Sequence, residues 1–497
     1  MIFIFLTSGI FLGWSLGAND AANVFGTAVG TRMLRFKTAA IIASIFVIIG
    51  AVVGGAGASH TLGKLGSINA LAGAFIVALM AGFTVFWMTK LKLPVSTSQA
   101  IVGAIIGWNF FSGSPTDFDS LTKIISTWVI CPLLSAVFAI LLFYIFRFIL
   151  DRVNIHLLEA DSYTRFGLIL VGAFGAYSLG ANNIANVMGV FVPVTPFTDL
   201  DMGLFVLTGA QQLFFIGGVA IAVGIFTYSR RVMETVGENL LKLSPIAALI
   251  VVLSESLVLF LFSSQQLESW LISHGLPSIP LVPVSSSQAV VGAVIGIGLV
   301  KGGRNIRFNV MGGIASGWIT TPVISALLTF ISLFVFQNVF NQEVYKPLSF
   351  LINDDVEQYL AEKQIPVDQL SFVMGKEYHN AFMLDDDLKT KTSLNEEQRK
   401  LVIQAALIEK LYIDPNIIGE KITAQWLGAE RYDALLKISG RTYSHIWQFE
   451  KDLQNLSESW RYKISGADLK LYNKALKEKY KYLIQLFSIQ NGMKKKE

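Results

Sequence analysis

A carboxylate and two amides interrupt an apolar run near the start of the chain. Residues 2–16 are mostly apolar and lead into Asn19 and Asp20, and Asn23 follows three residues later. Carboxylate and amide oxygens are hard ligands that suit a cation such as Na⁺. An ionisable side chain at the centre of a bilayer costs roughly 2.5–3.5 kcal/mol on insertion scales, so a chain keeps one where an ion, a substrate or a partner compensates it. These residues therefore indicate cation binding inside a membrane, and the alternative is a structural Asp in a kinked helix.

The same motif occurs twice. Residues 17–24 read GANDAANV and residues 180–187 read GANNIANV, so the second copy offers Asn182, Asn183 and Asn186. The glycines of each copy would let the helix unwind and turn backbone groups toward a ligand. The repetition favours a shared site over an isolated structural residue.

Two further motifs recur in the same order. Residues 94–104 read PVSTSQAIVGA and residues 283–293 read PVSSSQAVVGA, and a weaker pair of segments begins at Trp128 and Trp318. Three motifs repeated in one order indicate a duplicated membrane unit. Such duplication is the usual sequence sign of a secondary transporter whose paired half-sites lie near the bilayer midplane.

Composition also indicates a membrane protein. The 497 residues are 53% hydrophobic and 15% charged. The net charge of +4 comes without a basic stripe interleaved with aromatics, so no nucleic-acid partner is expected. Apolar runs long enough to cross or enter a bilayer lie near residues 2–30, 36–56, 69–89, 93–110, 121–150, 165–192, 202–228, 243–265, 280–300 and 307–338.

Two of these runs are long for a single span. Residues 121–150 contain Pro132 and residues 307–338 contain Pro322, and each proline could break its helix. We therefore expect about 10–12 membrane elements, some of them broken or re-entrant.

Loop charge predicts that the two repeats are inverted. The loop after the first motif carries Arg32, Arg35 and Lys37, whereas its counterpart carries Asp199 and Asp201. Basic loops prefer the cytoplasmic side of a membrane. Matching loops are therefore expected on opposite faces, as inverted repeats require.

The chain is expected to have three parts. Residues 1–155 form a first membrane repeat, residues 156–340 a second, inverted repeat, and residues 341–497 a soluble, mostly helical domain in which charged residues concentrate. No catalytic constellation stands out in the last part. Its role could be regulation, oligomerisation or binding of a partner.

The repeated motifs resemble those of the PiT family of inorganic phosphate transporters, which carries GAND-type motifs in both halves and PVSTTH-type segments before a glycine-rich run. The resemblance covers about residues 1–340. It implies an all-α, inverted-repeat fold, a homodimer in the plasma or inner membrane, phosphate as substrate and coupling to Na⁺ or H⁺. This chain departs from the family pattern with Gln99 and Gln288 in place of His, Asn183 in place of a second Asp, and Val47 in place of a frequent Glu.

A phosphate carrier must bind a dehydrated anion and still release it. Helix N-termini can attract an anion without a full charge, and Pro94 and Pro283 are expected to open two such helices. The alternative is that these hydroxyls bond backbone carbonyls in packed helices. The hydroxyl and amide groups predicted to bind phosphate are those of Ser96, Thr97, Ser98, Gln99, Ser285, Ser286, Ser287 and Gln288.

The cation is expected at the asparagine motifs. Na⁺ is favoured as the coupling ion because Gln in place of the family's His removes two titratable groups, and H⁺ carried by Asp20 is the alternative. No other cofactor is expected. Glu255 also lies deep in an apolar run, and its role in the pathway or in structure stays open. The predicted cation ligands are Asn19, Asp20, Asn23, Asn182, Asn183 and Asn186.

Phosphate symport has three alternatives. One is sulfate transport on the same fold, and another is a phosphate-sensing role added by residues 341–497. The third is an intramembrane serine hydrolase, which would need a base within reach of the serine. Because His60, His156 and His274 fall in predicted loops, no enzyme activity is expected.

Overall fold

The computed structural model describes most of the chain. Pro94, which was expected to open a helix, lies outside the described residues. The described residues are 2–66, 68–90, 95–153, 156–195, 197, 199–201, 206–230, 233, 244–302, 308–346, 348–378, 381–463 and 469–489.

The chain is mostly helical and separates into two compact units. The first comprises Met1–Glu268 and Ile279–Lys346, and the second comprises Ser269–Ser278 and Pro347–Glu497. Helix α10 (Gln265–Ser273) contains residues of both. The other helices of the first unit are α1 (Ile2–Gly30), α2 (Phe36–Gly54), α3 (Ala56–Leu65), α4 (Leu71–Lys90), α5 (Thr97–Ser112), α6 (Phe118–Leu150), α7 (Leu157–Met188), α8 (Gly209–Thr227), α9 (Pro245–Ser263), α11 (Ser286–Val300) and α12 (Phe308–Asn338).

Each of the ten predicted apolar runs overlaps one of these helices, and four of the helices extend beyond their run. A 3-10 turn (Gly189–Val194) and the antiparallel pair β1 (Leu200–Asp201) and β2 (Val206–Leu207) lie between α7 and α8. In the described part of the chain, seven helical segments are long and apolar enough to cross a membrane. They are Phe36–Gly54, Leu71–Lys90, Phe118–Leu150, Glu159–Val194, Gly209–Thr227, Pro245–Ser263 and Ser316–Asn338.

The helices that carry the asparagine motifs do not unwind, contrary to the expectation from their glycines. Both α1 and α7 run through their motifs without a break. A Cβ added at Gly17 would lie 2.0 Å from the carbonyl oxygen of Ile221, and one at Gly180 would lie 2.2 Å from that of Val47. The motif glycines thus serve close packing of neighbouring helices.

The predicted breaks at Pro132 and Pro322 are also wrong. Helix α6 has 33 residues and α12 has 31, each with its proline inside. A Cβ at Gly292 would lie 2.1 Å from the carbonyl oxygen of Pro132, and one at Gly103 would lie 2.1 Å from that of Pro322. A neighbouring helix therefore packs directly on each proline turn, and such contacts let membrane helices tolerate proline.

These close contacts join helices of residues 1–155 to helices of residues 156–340. Helix α1 of the first repeat packs on α8, and α7 of the second packs on α2. In the same way α5 packs on α12, and α11 packs on α6. Each of these four pairs therefore joins a helix of residues 1–155 to a helix of residues 156–340.

The second unit combines short helices with short strands around two apolar clusters. One cluster includes Val356, Leu384 and Val402, and the other includes Leu435 and Trp460. The helices are α13 (Asp354–Glu362), α14 (Ala381–Lys391), α15 (Glu396–Ala406), α16 (Pro415–Lys421), α17 (Ala424–Leu427), α18 (Ala429–Lys437), α19 (Ile446–Leu456) and α20 (Leu469–Phe487), with 3-10 turns at Val367–Val373 and Glu458–Trp460.

The five short strands of this unit were not predicted from the sequence, which indicated a mostly helical domain. Strand β3 pairs antiparallel with β4 and with β5, and β6 pairs antiparallel with β7. Strands of two or three residues are too short to give an alternating pattern in the sequence. They are β3 (Ser349–Leu351), β4 (Glu377–Tyr378), β5 (Leu407–Ile408), β6 (Leu411–Tyr412) and β7 (Thr442–Tyr443).

Candidate functional site

Two serines cap the short helices that follow the Ser-rich motifs. The Ser96 hydroxyl accepts the backbone N–H of Gln99, and the Ser285 hydroxyl accepts that of Gln288, each at 3.3 Å. Such caps satisfy one of the backbone donors that a helix start leaves without an internal partner. The prediction that Pro283 opens α11 is wrong, because the backbone is still extended at the cap.

Two reciprocal hydrogen bonds join the starts of α5 and α11. The Ser98 hydroxyl donates to the carbonyl oxygen of Val284 at 3.0 Å, and the Ser287 hydroxyl donates to that of Val95 at 3.3 Å. Each helix start is thus tied to the extended segment that precedes the other. The two N-termini, with their positive dipole ends, therefore lie next to one another.

Each asparagine motif contacts the Ser-rich motif of the other repeat. The Asn23 amide donates to the Ser286 hydroxyl at 3.1 Å, and the Asn186 amide donates to the Ser98 hydroxyl at 2.8 Å. Residues 1–155 and residues 156–340 therefore meet at this point, and each half of the site contains residues from both parts.

Asn182 and Asn183 complete the half that contains Asn186. The Asn182 amide donates to the carbonyl oxygen of Val282 at 3.3 Å, and its own oxygen accepts the backbone N–H of Val284 at 3.1 Å. The Asn183 oxygen accepts from the Asn186 amide at 3.0 Å. Asn182 thus holds the extended segment before α11 in place.

The other half contains two buried carboxyl groups. Asp20 is 3% exposed, accepts from the Asn19 amide at 3.1 Å and lies beside the Ser286 hydroxyl. Glu255 on α9 is 0% exposed, and α9 packs against α1, which carries Asp20, and against α6, which carries Cys131. Within the described ranges, no Lys or Arg side chain is buried. This half of the site is therefore acidic, and none of the described residues supplies a buried positive charge to compensate it.

Among the described residues, seven of the seventeen buried polar atoms that lack a hydrogen-bond partner belong to the asparagine motifs, to the Ser-rich motifs or to Glu255. Leaving such a group unpaired costs about 1–3 kcal/mol, so a set of them in motifs that contact one another indicates a bound ligand or ordered water. These seven atoms are Thr97 Oγ1, Gln99 Oε1, Asn183 Nδ2, Asn186 Oδ1, Gln288 Oε1 and both carboxylate oxygens of Glu255.

Two features of the site were not predicted from the sequence: the backbone carbonyl groups that accept hydrogen bonds, and the thiol of Cys131. The carbonyl groups of Val95 and Val284 accept the hydrogen bonds that join the helix starts, and no side-chain pattern in a sequence reports backbone acceptors. The thiol of Cys131 donates to the carbonyl oxygen of Ser285 at 3.6 Å. Cys131 lies in the weakest of the repeated segments, where its counterpart is Thr321. Only the position of this segment after the Ser-rich motif could have indicated that Cys131 lies near the site.

Comparison with known proteins agrees with this architecture. A family model described as the phosphate transporter family matches residues 16–329 and residues 269–408. The "Putative phosphate permease MJ0630" of Methanocaldococcus jannaschii is 28% identical over 327 residues, which cover 66% of this chain and 95% of the relative. The sulfate permease CysP of Bacillus subtilis is 28% identical over 349 residues, covering 69% of this chain and 90% of the relative.

A solved structure shows the same fold. It is named "The sodium-dependent phosphate transporter", and it matches with a TM-score of 0.54 and 22% sequence identity over 67% of this chain and 99% of its own. The family resemblance that the repeated motifs indicate is confirmed by the family model, which covers more than half of the sequence. The chain is a multi-pass membrane protein that belongs to the phosphate transporter family.

Proposed function

We propose that the protein carries inorganic phosphate across the cell membrane in symport with Na⁺, by alternating access between the two sides. The observation that supports this most is the set of unpartnered polar atoms between the repeated motifs. Free oxygens of Gln99, Gln288 and Asn186 call for a ligand that donates hydrogen bonds or carries positive charge. The free Nδ2 of Asn183 and the hydroxyl of Thr97 call for a ligand that accepts them.

Protonated phosphate meets both needs. Its oxygens accept hydrogen bonds, and its hydroxyl groups donate them. The adjoining N-termini of α5 and α11 would attract the anion without a buried Arg or Lys, which permits release on the other side. The predicted ligands Ser98, Ser286 and Ser287 would reorient their hydroxyls toward it, whereas Ser96 and Ser285 would act mainly as caps.

Na⁺ would bind at the asparagine motifs. The oxygens of Asp20, Asn19 and Asn23 in one half and of Asn182, Asn183 and Asn186 in the other are the ligands a hard cation prefers. A cation near Asp20 would offset the repulsion between that carboxylate and the phosphate. Binding of each ion would therefore favour binding of the other.

Sulfate transport is the second candidate, and a sulfate permease among the relatives is the observation that favours it. Fully ionised sulfate has no hydroxyl to donate to the oxygens of Gln99, Gln288 and Asn186. The free acceptors therefore favour phosphate.

The larger arrangement is proposed on the same basis. Residues 1–155 and 156–340 would be inverted repeats in the plasma or inner membrane, because their motifs match while the charge of their loops reverses. Residues 341–497 would form a soluble domain that adds phosphate sensing or binds a regulatory partner. A homodimer rests on the family resemblance alone.

Uptake of radiolabelled phosphate into proteoliposomes tests this function. A Na⁺ gradient and a pH gradient are imposed in separate sets, with excess sulfate as competitor. The matched variants are Asp20→Asn at the site and Asp119→Asn at an exposed position in the first turn of α6. We expect uptake driven by Na⁺, insensitive to sulfate, lost in Asp20→Asn and kept in Asp119→Asn. Uptake driven only by the pH gradient would contradict Na⁺ coupling, and block by sulfate would contradict the substrate.

A further inference from the structure

Glu255 is a fully buried acid that the asparagine and serine motifs do not account for. It lies on α9, which packs against α1, α6, α7 and α11, and its side chain is 0% exposed. Neither of its carboxylate oxygens has a hydrogen-bond partner among the described residues. A buried carboxyl group with neither oxygen engaged is costly, and proteins rarely keep one without a reason.

The neighbours of Glu255 on its own helix do not satisfy it. The Ser254 hydroxyl donates to the carbonyl oxygen of Ile250 at 2.7 Å, and the Ser256 hydroxyl donates to that of Val252 at 2.6 Å. Both serines thus bond to the preceding turn of α9. The LSES segment therefore gives Glu255 no local partner of the kind a structural acid would have.

Protonation would not resolve the problem. A neutral carboxyl group has a proton to donate and an oxygen to satisfy, yet both oxygens of Glu255 lack partners in the described structure. An ionised carboxyl group needs a positive charge, and no Lys or Arg is buried within the described ranges. In either state the missing partner must come from solution, and a cation supplies it most directly.

The position of Glu255 also fits the asymmetry between the repeats. The first asparagine motif carries Asp20 where the second carries Asn183. Helix α9, which carries Glu255, packs on α1, which carries Asp20 and Asn23. It also packs on α11, which begins at Ser286. Both buried acids of the membrane unit, within the described ranges, are therefore on one side, and the side that contains Asn183 is neutral.

We propose that Glu255 is a ligand of the coupling cation, so that Na⁺ binds on the Asp20 side of the site between residues of α1 and α9. This inference rests on the proposed Na⁺-coupled transport. The carboxylate supplies a hard oxygen ligand and a negative charge. Na⁺ supplies the positive charge that the described protein groups do not provide.

The test compares Glu255→Gln with Glu159→Gln, an exposed position near the start of α7. Two readouts are used on the purified, full-length protein. One is the increase in melting temperature on adding NaCl in place of choline chloride, which reports Na⁺ binding without transport. The other is the Na⁺ concentration that gives half-maximal phosphate uptake in proteoliposomes.

We expect Glu255→Gln to melt no lower than wild type without Na⁺, because an amide replaces an unpaired buried acid. Its melting temperature should rise much less with Na⁺, and the half-maximal Na⁺ concentration should increase about tenfold or more. Glu159→Gln should match wild type in both. A lower melting temperature without Na⁺ together with an unchanged response to Na⁺ would make Glu255 structural and overturn the inference.

The outcomes separate this inference from the proposed function. If wild type shows no Na⁺-driven uptake, the proposed function fails. If wild type shows it and Glu255→Gln keeps the same Na⁺ dependence, the role of Glu255 fails while the function stands. Loss of the pH dependence of uptake with unchanged Na⁺ dependence would identify Glu255 as a proton carrier and would likewise overturn its assignment to Na⁺.

Discussion

Substitution of Gly103 by alanine tests whether the packing of α5 on α12 sets the geometry of the site. A Cβ at this position would lie 2.1 Å from the carbonyl oxygen of Pro322 and 2.6 Å from its Cα. The obstructing atoms are backbone, so no side-chain rotation can relieve the contact. The two helices must move apart.

The size of the movement follows from the contact. A carbon and an oxygen that are not bonded approach to a little over 3 Å, so α5 must shift by about 1 Å relative to α12. Overpacking of this kind costs about 1–3 kcal/mol. The first turn of α5 carries Ser98 and Gln99, and a misplacement of about 1 Å at a binding site can reduce the rate by about a hundredfold. We therefore expect a lower melting temperature and a loss of phosphate uptake that exceeds the loss of folded protein.

The assay measures both quantities in detergent and in proteoliposomes, with Gly63→Ala as the matched control. Gly63 also lies inside a helix, α3, but a Cβ there would meet nothing within 4 Å. Because alanine favours a helix over glycine by about 0.5–1 kcal/mol, this control should melt at the same temperature or higher and keep its uptake. A Gly103→Ala protein that behaves like Gly63→Ala would refute the reasoning from close backbone contact.

Two further predictions concern the hydrogen bonds of the site and the second unit. Ser98→Ala removes the donor to Val284 and the acceptor for Asn186, so it should destabilise the protein by about 1–3 kcal/mol and reduce phosphate uptake, while the exposed Ser273→Ala should change neither; equal uptake by both variants would contradict the role of the bond. In the second unit, burial lowers the pKa of His445, although its Nδ1–H donates to the carbonyl oxygen of Leu407 at 2.8 Å and Asp355 acts in the opposite direction. The folded state then favours the neutral imidazole and binds fewer protons than the unfolded state, so stability should fall as the pH drops below the ordinary value of 6.5. Melting of the full chain between about pH 7.5 and pH 5.5 should show a smaller decrease for His445→Gln than for wild type, and an equal decrease would contradict this origin.

The sequence was a good guide to the helices and to the motifs that meet. Each predicted apolar run corresponds to a helix of the first unit. A long apolar segment in lipid can satisfy its backbone polar groups within itself only by forming a helix. The repetition of the asparagine and serine motifs indicated residues that the structure joins by hydrogen bonds, such as Asn23 with Ser286 and Asn186 with Ser98. Their assignment to phosphate and Na⁺ stays a prediction.

The misjudged features depend on contacts between distant segments. Pro132 and Pro322 were expected to break their helices, but whether a proline turn persists depends on the helix that packs on it, here through Gly292 and Gly103. The glycines of the first motif were expected to unwind α1, but α1 is continuous and Gly17 packs directly on the backbone of Ile221. The local sequence shows which backbone conformations a residue can adopt. Only the fold shows which neighbouring helix packs on that residue and so selects one of them.

The exchange of packing partners between the repeats has a consequence for the origin of the chain. Because α1 packs on α8 and α7 packs on α2, residues 1–155 without residues 156–340 would expose the apolar faces that these contacts cover and would lack part of the site. An ancestral polypeptide with one copy of the unit would therefore have had to assemble as a pair of chains before it could fold or bind.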